Sequence, residues 1–392
     1  MLFVGIDVAK NKHDIAMIDS SGTVLLDHLR IPNNREGFLK LHQTLNDFQN
    51  GQQISISMED TGIYGVNIQQ FLQSQKYQVH TYNPLLIKEF AKSISLRKTK
   101  TDKKDALTIA RKGFMDRGKK LFEVSPAMIE LKQLTRHRSR LGRYQADLKI
   151  QYIRVLDLVF PELSTFLGSQ NLHLNYIYTM LDAYPTAHQL ASAHLTSLAN
   201  LIAKASRGRV KKDRAIQIRE LARQSIGMES TSLEIELKHL IESIRYYNFP
   251  IKETDKKIED LMKEIQSPIL TIPGISYRLG SIILSEIRSI HHFQTPAQLL
   301  AFSGLEPSVH QSGQYAGEGK MVKRGSSDLR WALTQAARLI TVYSPTFKAY
   351  FSKKLGEGKH YNVALSHVAK KLVRVLFYLL KNNQDFDETK LA

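Results

Sequence analysis

Four acidic residues stand in an order and setting that few folds can use. Asp7 ends the apolar run Leu2–Ile6, Glu59 follows Ile54-Ser55-Ile56-Ser57-Met58, and Asp102 and Asp105 lie three apart in Lys100-Thr101-Asp102-Lys103-Lys104-Asp105-Ala106. The first run favours β-structure, so Asp7 is expected on a first strand. Further strands are predicted over His13–Ile18 and Thr23–Ile31 from their apolar patterning. In residues 54–59 the apolar side chains fall on one face and Ser55, Ser57 and Glu59 on the other. Asp60 therefore points opposite Glu59, and Thr61-Gly62 ends the strand. Asn83-Pro84 makes a helix start, with Asn as cap and Pro in the first turn. In the basic helical tract beyond it, Asp102 and Asp105 at i and i+3 share one face.

Two carboxylates about 4 Å apart repel by about 4 kcal/mol at an effective dielectric of about 20. Four converging acids therefore require metal, protonation or flanking cations. Lys100, Lys103 and Lys104 compensate in part without replacing a metal. Two divalent ions held by Asp7, Glu59, Asp102 and Asp105 would activate one oxygen and stabilise another during phosphoryl transfer. Taken alone, Asp102 and Asp105 read equally as a solvated helix face paired with lysines. Together with Asp7 and Glu59 they read as a metal site.

Charge points to the substrate. Fifty-five Lys and Arg against 37 Asp and Glu give +18 at pH 7, which suits phosphate backbones or anionic membranes. No apolar stretch is long enough to span a bilayer, and the chain enters a strand where a signal peptide would stand, so nucleic acid is the expected partner. The absence of cysteine excludes disulfides and thiolate zinc sites and fits a cytoplasmic, nucleoid-associated protein. The length of 392 residues suggests two or three domains.

The pattern divides the chain into an α/β domain over 1–125, a helical linker with a coiled coil over 126–266, and a C-terminal domain over 267–392. From about Ser125 the sequence is almost purely helical. The helix carrying Arg136, Arg138 and Arg140 presents dense positive charge, and Pro161 ends it. Residues 168–227 read as several short helices without recognisable chemistry. Leu237, Ile244, Ile251, Ile258 and Ile265 then repeat every seven residues, with Leu240, Tyr247, Thr254 and Leu261 in the complementary position. This spacing predicts a coiled coil that joins subunits or domains, or else a packed helix inside one domain. Pro250 is expected to kink or divide it.

Leu270-Thr271-Ile272-Pro273-Gly274-Ile275 followed by an apolar helix suggests a helix-hairpin-helix, with amides near Gly274 available to a phosphate; a plain structural turn is the other reading. Downstream lie two Gly-rich turns, clustered hydroxyls and the basic step Lys323-Arg324. A serine here could attack a phosphodiester. The residues alone leave Ser303, Ser308, Ser312, Ser326 and Ser327 open, since most loop serines cap turns.

Several motifs in one order carry a resemblance: Gly5-Ile6-Asp7-Val8-Ala9-Lys10, Met58-Glu59-Asp60-Thr61-Gly62, the Asp102/Asp105 segment, and late in the chain Pro273-Gly274-Ile275, Phe302-Ser303-Gly304-Leu305-Glu306-Pro307, Gln311-Ser312-Gly313, Lys323-Arg324-Gly325 and Leu329-Arg330. Together they resemble the DEDD-type insertion-sequence transposases, relatives of the Piv DNA invertases and viewed as bridge-RNA-guided recombinases. The resemblance covers roughly 1–120 and 268–345. It implies a RuvC-like (RNase H-like) N-terminal domain whose Mg²⁺ ligands match Asp7, Glu59, Asp102 and Asp105. It also implies a C-terminal transposase domain in which Ser312 forms a phosphoserine link to DNA. DNA, a guide RNA and a homo-oligomer (dimer or tetramer) with composite active sites are the implied partners. Gln311, Val322 and Ser326 depart from the family's usual residues, and His310 is a candidate base for Ser312.

The rival readings are a metal-dependent junction-resolving endonuclease that uses only the acids and water, or a DNA invertase without RNA guidance; and, of another class, a catalytically silent nucleic-acid-binding adaptor. If the basic tracts bind duplex phosphates, affinity should fall with salt by a log–log slope of about 0.9 per phosphate neutralised. Titration at several salt concentrations measures it, and a flat response would exclude phosphate binding by these tracts.

Overall fold

The computed structural model describes residues 1–60, 63–82, 84–94, 101–117, 125–168, 171–307, 311–312, 315–316 and 321–391, with the backbone alone at Leu85, Gln311, Ser312, Tyr315 and Ala316. They divide into two compact units, Met1–Ser125 and Pro126–Ala392. Among the described residues no helix is long and apolar enough to cross a membrane.

In the first unit, two apolar runs fold back at Ala9-Lys10-Asn11 to form the antiparallel strands β1 (Leu2–Val8) and β2 (Lys12–Ile18). β3 (Val24–Pro32) extends the meander. Asn34 caps α1 (Arg35–Gln49) by accepting the Gly37 N–H at 2.9 Å. The chain returns through β4 (Ile54–Glu59), parallel to β1, then α2 (Val66–Ser74) and β5 (Gln78–Tyr82), parallel to β4. The sheet order is β3-β2-β1-β4-β5. α3 (Pro84–Ile94) and α4 (Asp102–Met115) complete the unit.

Each face of this sheet has its own cover. Val4, Ile6, Ile56 and Met58 pack with Phe38, Leu41, Ile68 and Leu72 of α1 and α2. The opposite face, with Ser55 and Ser57, is covered by α4 through glycine contacts. A Cβ at Gly5 would stand 2.1 Å from the Ala106 carbonyl oxygen and 2.3 Å from the Ala110 nitrogen, and one at Gly113 would stand 2.3 Å from Ser57 Oγ. Helix and sheet thus approach closer than any side-chained residue at position 5 permits.

The second unit is built on α5 (Pro126–Val159). Five shorter helices follow: α6 (Pro161–Leu167), α7 (Asn175–Ala183), α8 (Ala187–Ser192), α9 (Leu195–Ala205) and α10 (Lys212–Arg223). Then comes α11 (Thr231–Ile265), antiparallel to α5: Arg138 bonds Asp255, Gln145 bonds Asn248 and Arg154 bonds Glu236. Beyond it lie α12 (Tyr277–Ile287), α13 (Pro296–Ser303), the two-residue strands β6 (Gln311–Ser312) and β7 (Tyr315–Ala316), α14 (Ser327–Tyr343), α15 (Pro345–Gly356) and α16 (Tyr361–Asn382).

Three open readings narrow here. The seven-residue repeat is buried inside the chain, with Leu237, Ile244, Ile251 and Ile258 facing neighbouring helices, so this seam is spent on intramolecular packing. Pro250 lies within one continuous 35-residue helix and does not divide it. No boundary separates 126–266 from 267–392, because Leu131, Ile258 and Met262 share one core with Leu279, Ile283, Leu333 and Leu372. The helices of 168–227 also have a role: they bury Tyr152, Val155 and Leu156 of α5 and Leu237, Ile241 and Ile244 of α11.

Substituting Gly5→Ala should force α4 off β1. We expect a loss of about 2 kcal/mol or more in the unfolding free energy, read as a lower denaturant midpoint; an unchanged midpoint would show that the contact relaxes at no cost.

Candidate metal centre and nucleic-acid interface

The β1–β2 hairpin sets Asp7 opposite Asp14. In the parallel ladder Ile6 pairs Met58, so Asp7 and Glu59 follow the last paired residues at the same end of neighbouring strands. Thr101 caps α4, accepting the Lys104 N–H at 3.4 Å, and places Asp102 and Asp105 in the first turn of the helix that crosses β1. A helix N-terminus favours carboxylates there. Three separated segments of sequence thus bring acids to one end of the sheet.

Asp7 registers the crowding. Its carboxyl is pushed up to about 6, by burial first and then by the charges of Asp105, Glu59, Asp102 and Asp14. Asp102 moves the other way and is held below the usual carboxylate range, chiefly by its hydrogen bond from Lys12. Lys12 Nζ lies 2.6 Å from Asp102 Oδ2 and 3.8 Å from Asp14 Oδ2, and Arg30 Nη2 lies 3.3 Å from Asp102. Asp14 is almost fully buried and is held by Arg30 Nε at 2.8 Å and by His28 Nε2 at 2.6 Å.

Asp14, Lys12, His28 and Arg30 join this cluster of acids and were not singled out by the motifs. For Asp14 the signal lay in the turn: with Lys10-Asn11 as a two-residue turn and Ala9 facing Lys12, counting back places Asp14 opposite Asp7. Among the described residues, no three His, Asp or Glu side chains stand close enough together to hold an ion directly. The donor set nevertheless fits a hard cation, because the converging groups are all carboxylates and their surplus negative charge raises Asp7. The Lys12 ammonium occupies part of the position that such charge demands.

The expected nucleic-acid contacts separate into distinct groups. Lys100 lies outside the described residues. Lys103 pairs with Asp27, and the exposed Lys104 gives its backbone N–H to Thr101. Arg136 makes a two-armed bond to the buried Glu286, at 3.0 and 3.3 Å, and Arg138 does the same with Asp255, at 2.9 and 3.2 Å; Arg138 thereby clamps α5 to α11. Arg140, with Arg136 and Arg143, lines a recess of about 400 Å³ beside Gly325, Ser326 and Ser327 at the start of α14.

At Gly274 the backbone has φ +86°, and a Cβ would lie 2.8 Å from Leu339 Cβ, so the turn packs tightly on α14. A 3₁₀ turn (Pro268–Thr271), not a full α-helix, immediately precedes it. Lys323 and Arg324 are exposed on a segment held to the end of α13: the Lys323 N–H donates to Gly304 O at 3.2 Å and the Val322 N–H to Glu306 O at 3.0 Å. Arg330 Nη1 is buried nearby and has no hydrogen-bond partner among the described residues.

The serines also separate. Ser303 is fully buried and donates to Leu300 O at 2.7 Å, and Ser326 caps α14 by accepting the Leu329 N–H at 3.2 Å. The backbone of Ser312 pairs with Tyr315 in the β6–β7 hairpin. Ser308, His310 and Gly313 lie outside the described residues.

The raised carboxyl has a consequence for stability. An acid whose folded pKa lies above its unfolded one binds protons more tightly in the native state. The resulting penalty is absent below about pH 3.8, develops as pH rises through about 6, and is complete above it. Asp7→Asn should therefore stabilise the metal-free protein at pH 7.5 by about 1–3 kcal/mol, with a gain that shrinks toward pH 4.5. Denaturant midpoints across that range in chelator test it; a gain independent of pH would remove ionisation as the cause.

Comparison with known proteins joins the two ends of the chain. Residues 4–161 match a transposase model of the DEDD, IS110 type, and residues 266–352 match the model "Transposase IS116/IS110/IS902 family". Together these stretches take in more than half of the chain. Among similar proteins, the pilin gene-inverting protein of Moraxella bovis is 22% identical over 395 residues, covering 98% of both chains. The insertion element IS116 uncharacterized 44.8 kDa protein of Streptomyces clavuligerus is 23% identical, covering 98% of this chain and 96% of its own. The transposase of insertion sequence element IS1111A from Coxiella burnetii is 27% identical over 175 residues, 42% of this chain and 47% of its own. With both transposase domains in order and relatives aligned from end to end, the chain belongs to the IS110/IS116-type DEDD transposases.

Proposed function

We propose that this protein is the recombinase of an insertion element, cutting and rejoining DNA through Ser312 with the help of Mg²⁺ held by Asp7, Glu59, Asp102 and Asp105. The observation that carries this reading is the convergence of acids from β1, β4 and α4 within electrostatic reach of Asp7. The β3-β2-β1-β4-β5 order, a meander extended by two parallel strands, supports a RuvC-like assignment for the first unit. A pair of Mg²⁺ ions would supply Lewis-acid polarisation of the scissile phosphate.

The chain's own contribution is a nucleophile and a place for protons. Ser312 Oγ bonds to phosphorus while the bond from phosphorus to a deoxyribose oxygen breaks. The serine proton passes to a base, and the leaving oxygen takes up a proton. Attack by a sugar hydroxyl on the phosphoserine reverses these steps and rejoins the strands. Arg140 and Arg143, beside the start of α14, would hold the flanking phosphates. A guide RNA and a homo-oligomer belong to this reading, the former supported by the charge of +18.

DNA inversion is the nearest alternative outcome of the same chemistry, favoured by the full-length likeness to the pilin gene-inverting protein. Ser312→Ala should abolish a denaturant-resistant protein–DNA adduct, and Glu59→Ala or Asp102→Ala should lower strand cleavage by about 10² or more. Cutting by Ser312→Ala without adduct would replace the recombinase with a metal-dependent nuclease. RNA recovered with the protein from its native locus would support guidance if one discrete species dominates, and bulk cellular RNA would count against it.

A further inference from the structure

The C-terminal forty residues lie beyond both matched stretches and carry a second basic feature. α16 buries Leu365, Val368, Leu372, Leu376 and Leu379 in the core. Beside that stripe, His367, Lys370 and Arg374 recur at i, i+3 and i+7, spread over two turns of about 5.4 Å each. With Tyr378 they line a groove of about 610 Å³, whose other wall is the segment from Gln384 to Leu391.

That wall is tied down. The Phe386 N–H donates to Thr271 Oγ1 at 2.8 Å, and Glu388 Oε1 accepts from Ser344 Oγ at 2.6 Å and from the Thr346 N–H at 2.9 Å. The groove is therefore a built feature of the second unit.

We propose that this groove binds single-stranded nucleic acid, with phosphates against His367, Lys370 and Arg374 and a base stacked on Tyr378. Nearby surface lysines are already neutralised: Lys354 and Lys359 by Glu357, and Lys390 by Asp387. Among the described residues, His367, Lys370 and Arg374 make no hydrogen bond or ion pair. His367 and Lys370 are both held below their ordinary values, by burial first and then by neighbouring cations, with Glu357 and Glu306 acting weakly against the shift, so an incoming phosphate would favour their charged forms.

Tyr378 is 52% exposed and offers a ring to a base. Asp385 and Asp387 on the opposite wall would repel the second strand of a duplex while accepting hydrogen bonds from base amino groups or a ribose hydroxyl. A recess with an acidic lip also excludes a flat anionic membrane. The inference depends on neither the metal site nor Ser312.

The test uses the full chain carrying Ser312→Ala, in chelator, so that no cleavage chemistry contributes. RNA and DNA oligonucleotides of about ten nucleotides bearing 5-iodouracil are photocrosslinked and the adducts mapped. Adducts at Tyr378 or Phe386 with either sugar support the proposal; adducts confined to other segments overturn it. Lys370→Gln with Arg374→Gln should cut the yield there by about tenfold and lower the salt slope by about 1.4.

Tyr378→Ala, at an exposed position, guards against misfolding of that double variant. It should weaken oligonucleotide binding by about tenfold while leaving inorganic polyphosphate binding unchanged. Equal losses for both probes would reduce the groove to a phosphate site and overturn the stacking claim. Displacement of the oligonucleotide by phosphatidylglycerol vesicles, or by a polyglutamate peptide, would reassign the surface and overturn it as well.

Discussion

The approach of α4 to β1 at Gly5 is the constraint on which the N-terminal unit depends. With no side chain at that position, the backbone of Ala106 and Ala110 lies directly on the strand, and Gly113 repeats the device against Ser57. Two residues beyond Gly5 along the strand comes Asp7, and one residue before Ala106 along the helix comes Asp105. The contact that closes the fold is therefore the one that sets the distance between acids from the two ends of the unit. Stability and electrostatic crowding are linked in a single junction, and the raised carboxyl of Asp7 is its price.

The second unit distributes its core differently. α5 and α11 form an antiparallel spine, and a hydrophobic cluster gathers at each end of it. Arg138–Asp255 lies within this spine, and Arg136–Glu286 joins it to α12. Of the arginines selected by charge alone, Arg138 binds its own protein, Arg136 does so while also lining the open recess, and Arg140 lines that recess. Bidentate geometry makes an arginine useful in either role, so only the position of a facing carboxylate tells them apart.

The strands and the acids were legible because they are local: apolar runs of five or six residues, alternation through 54–59, and two acids three apart in a helical tract; that a separate helix starts there, capped by Thr101, was not read. What escaped was set by partners distant in sequence. The serine face of β4 does not by itself say what covers it, which Gly113 of α4 does. The heptad repeat on α11 is genuine, but a repeat does not say which surface fills its seam, and here helices of the same chain do so. Lys12 and Arg30 are ordinary strand cations until the meander brings them to Asp102. Among the hydroxyls, Ser303 drops out as a nucleophile through burial alone, a property that no local pattern of serine and glycine reveals.

The ammonium of Lys12 on Asp102 bears on the order of events in the life of this protein. Some small metal-binding domains stay unfolded until an ion arrives, because binding supplies the folding free energy. Here a lysine from the β1–β2 hairpin and an arginine from β3 already stand among the acids, so the domain can close before any dication is present. On the proposed metal role, a copy without its ions would stay folded and keep the chain's net charge of +18 while lacking the Lewis acid for the reaction.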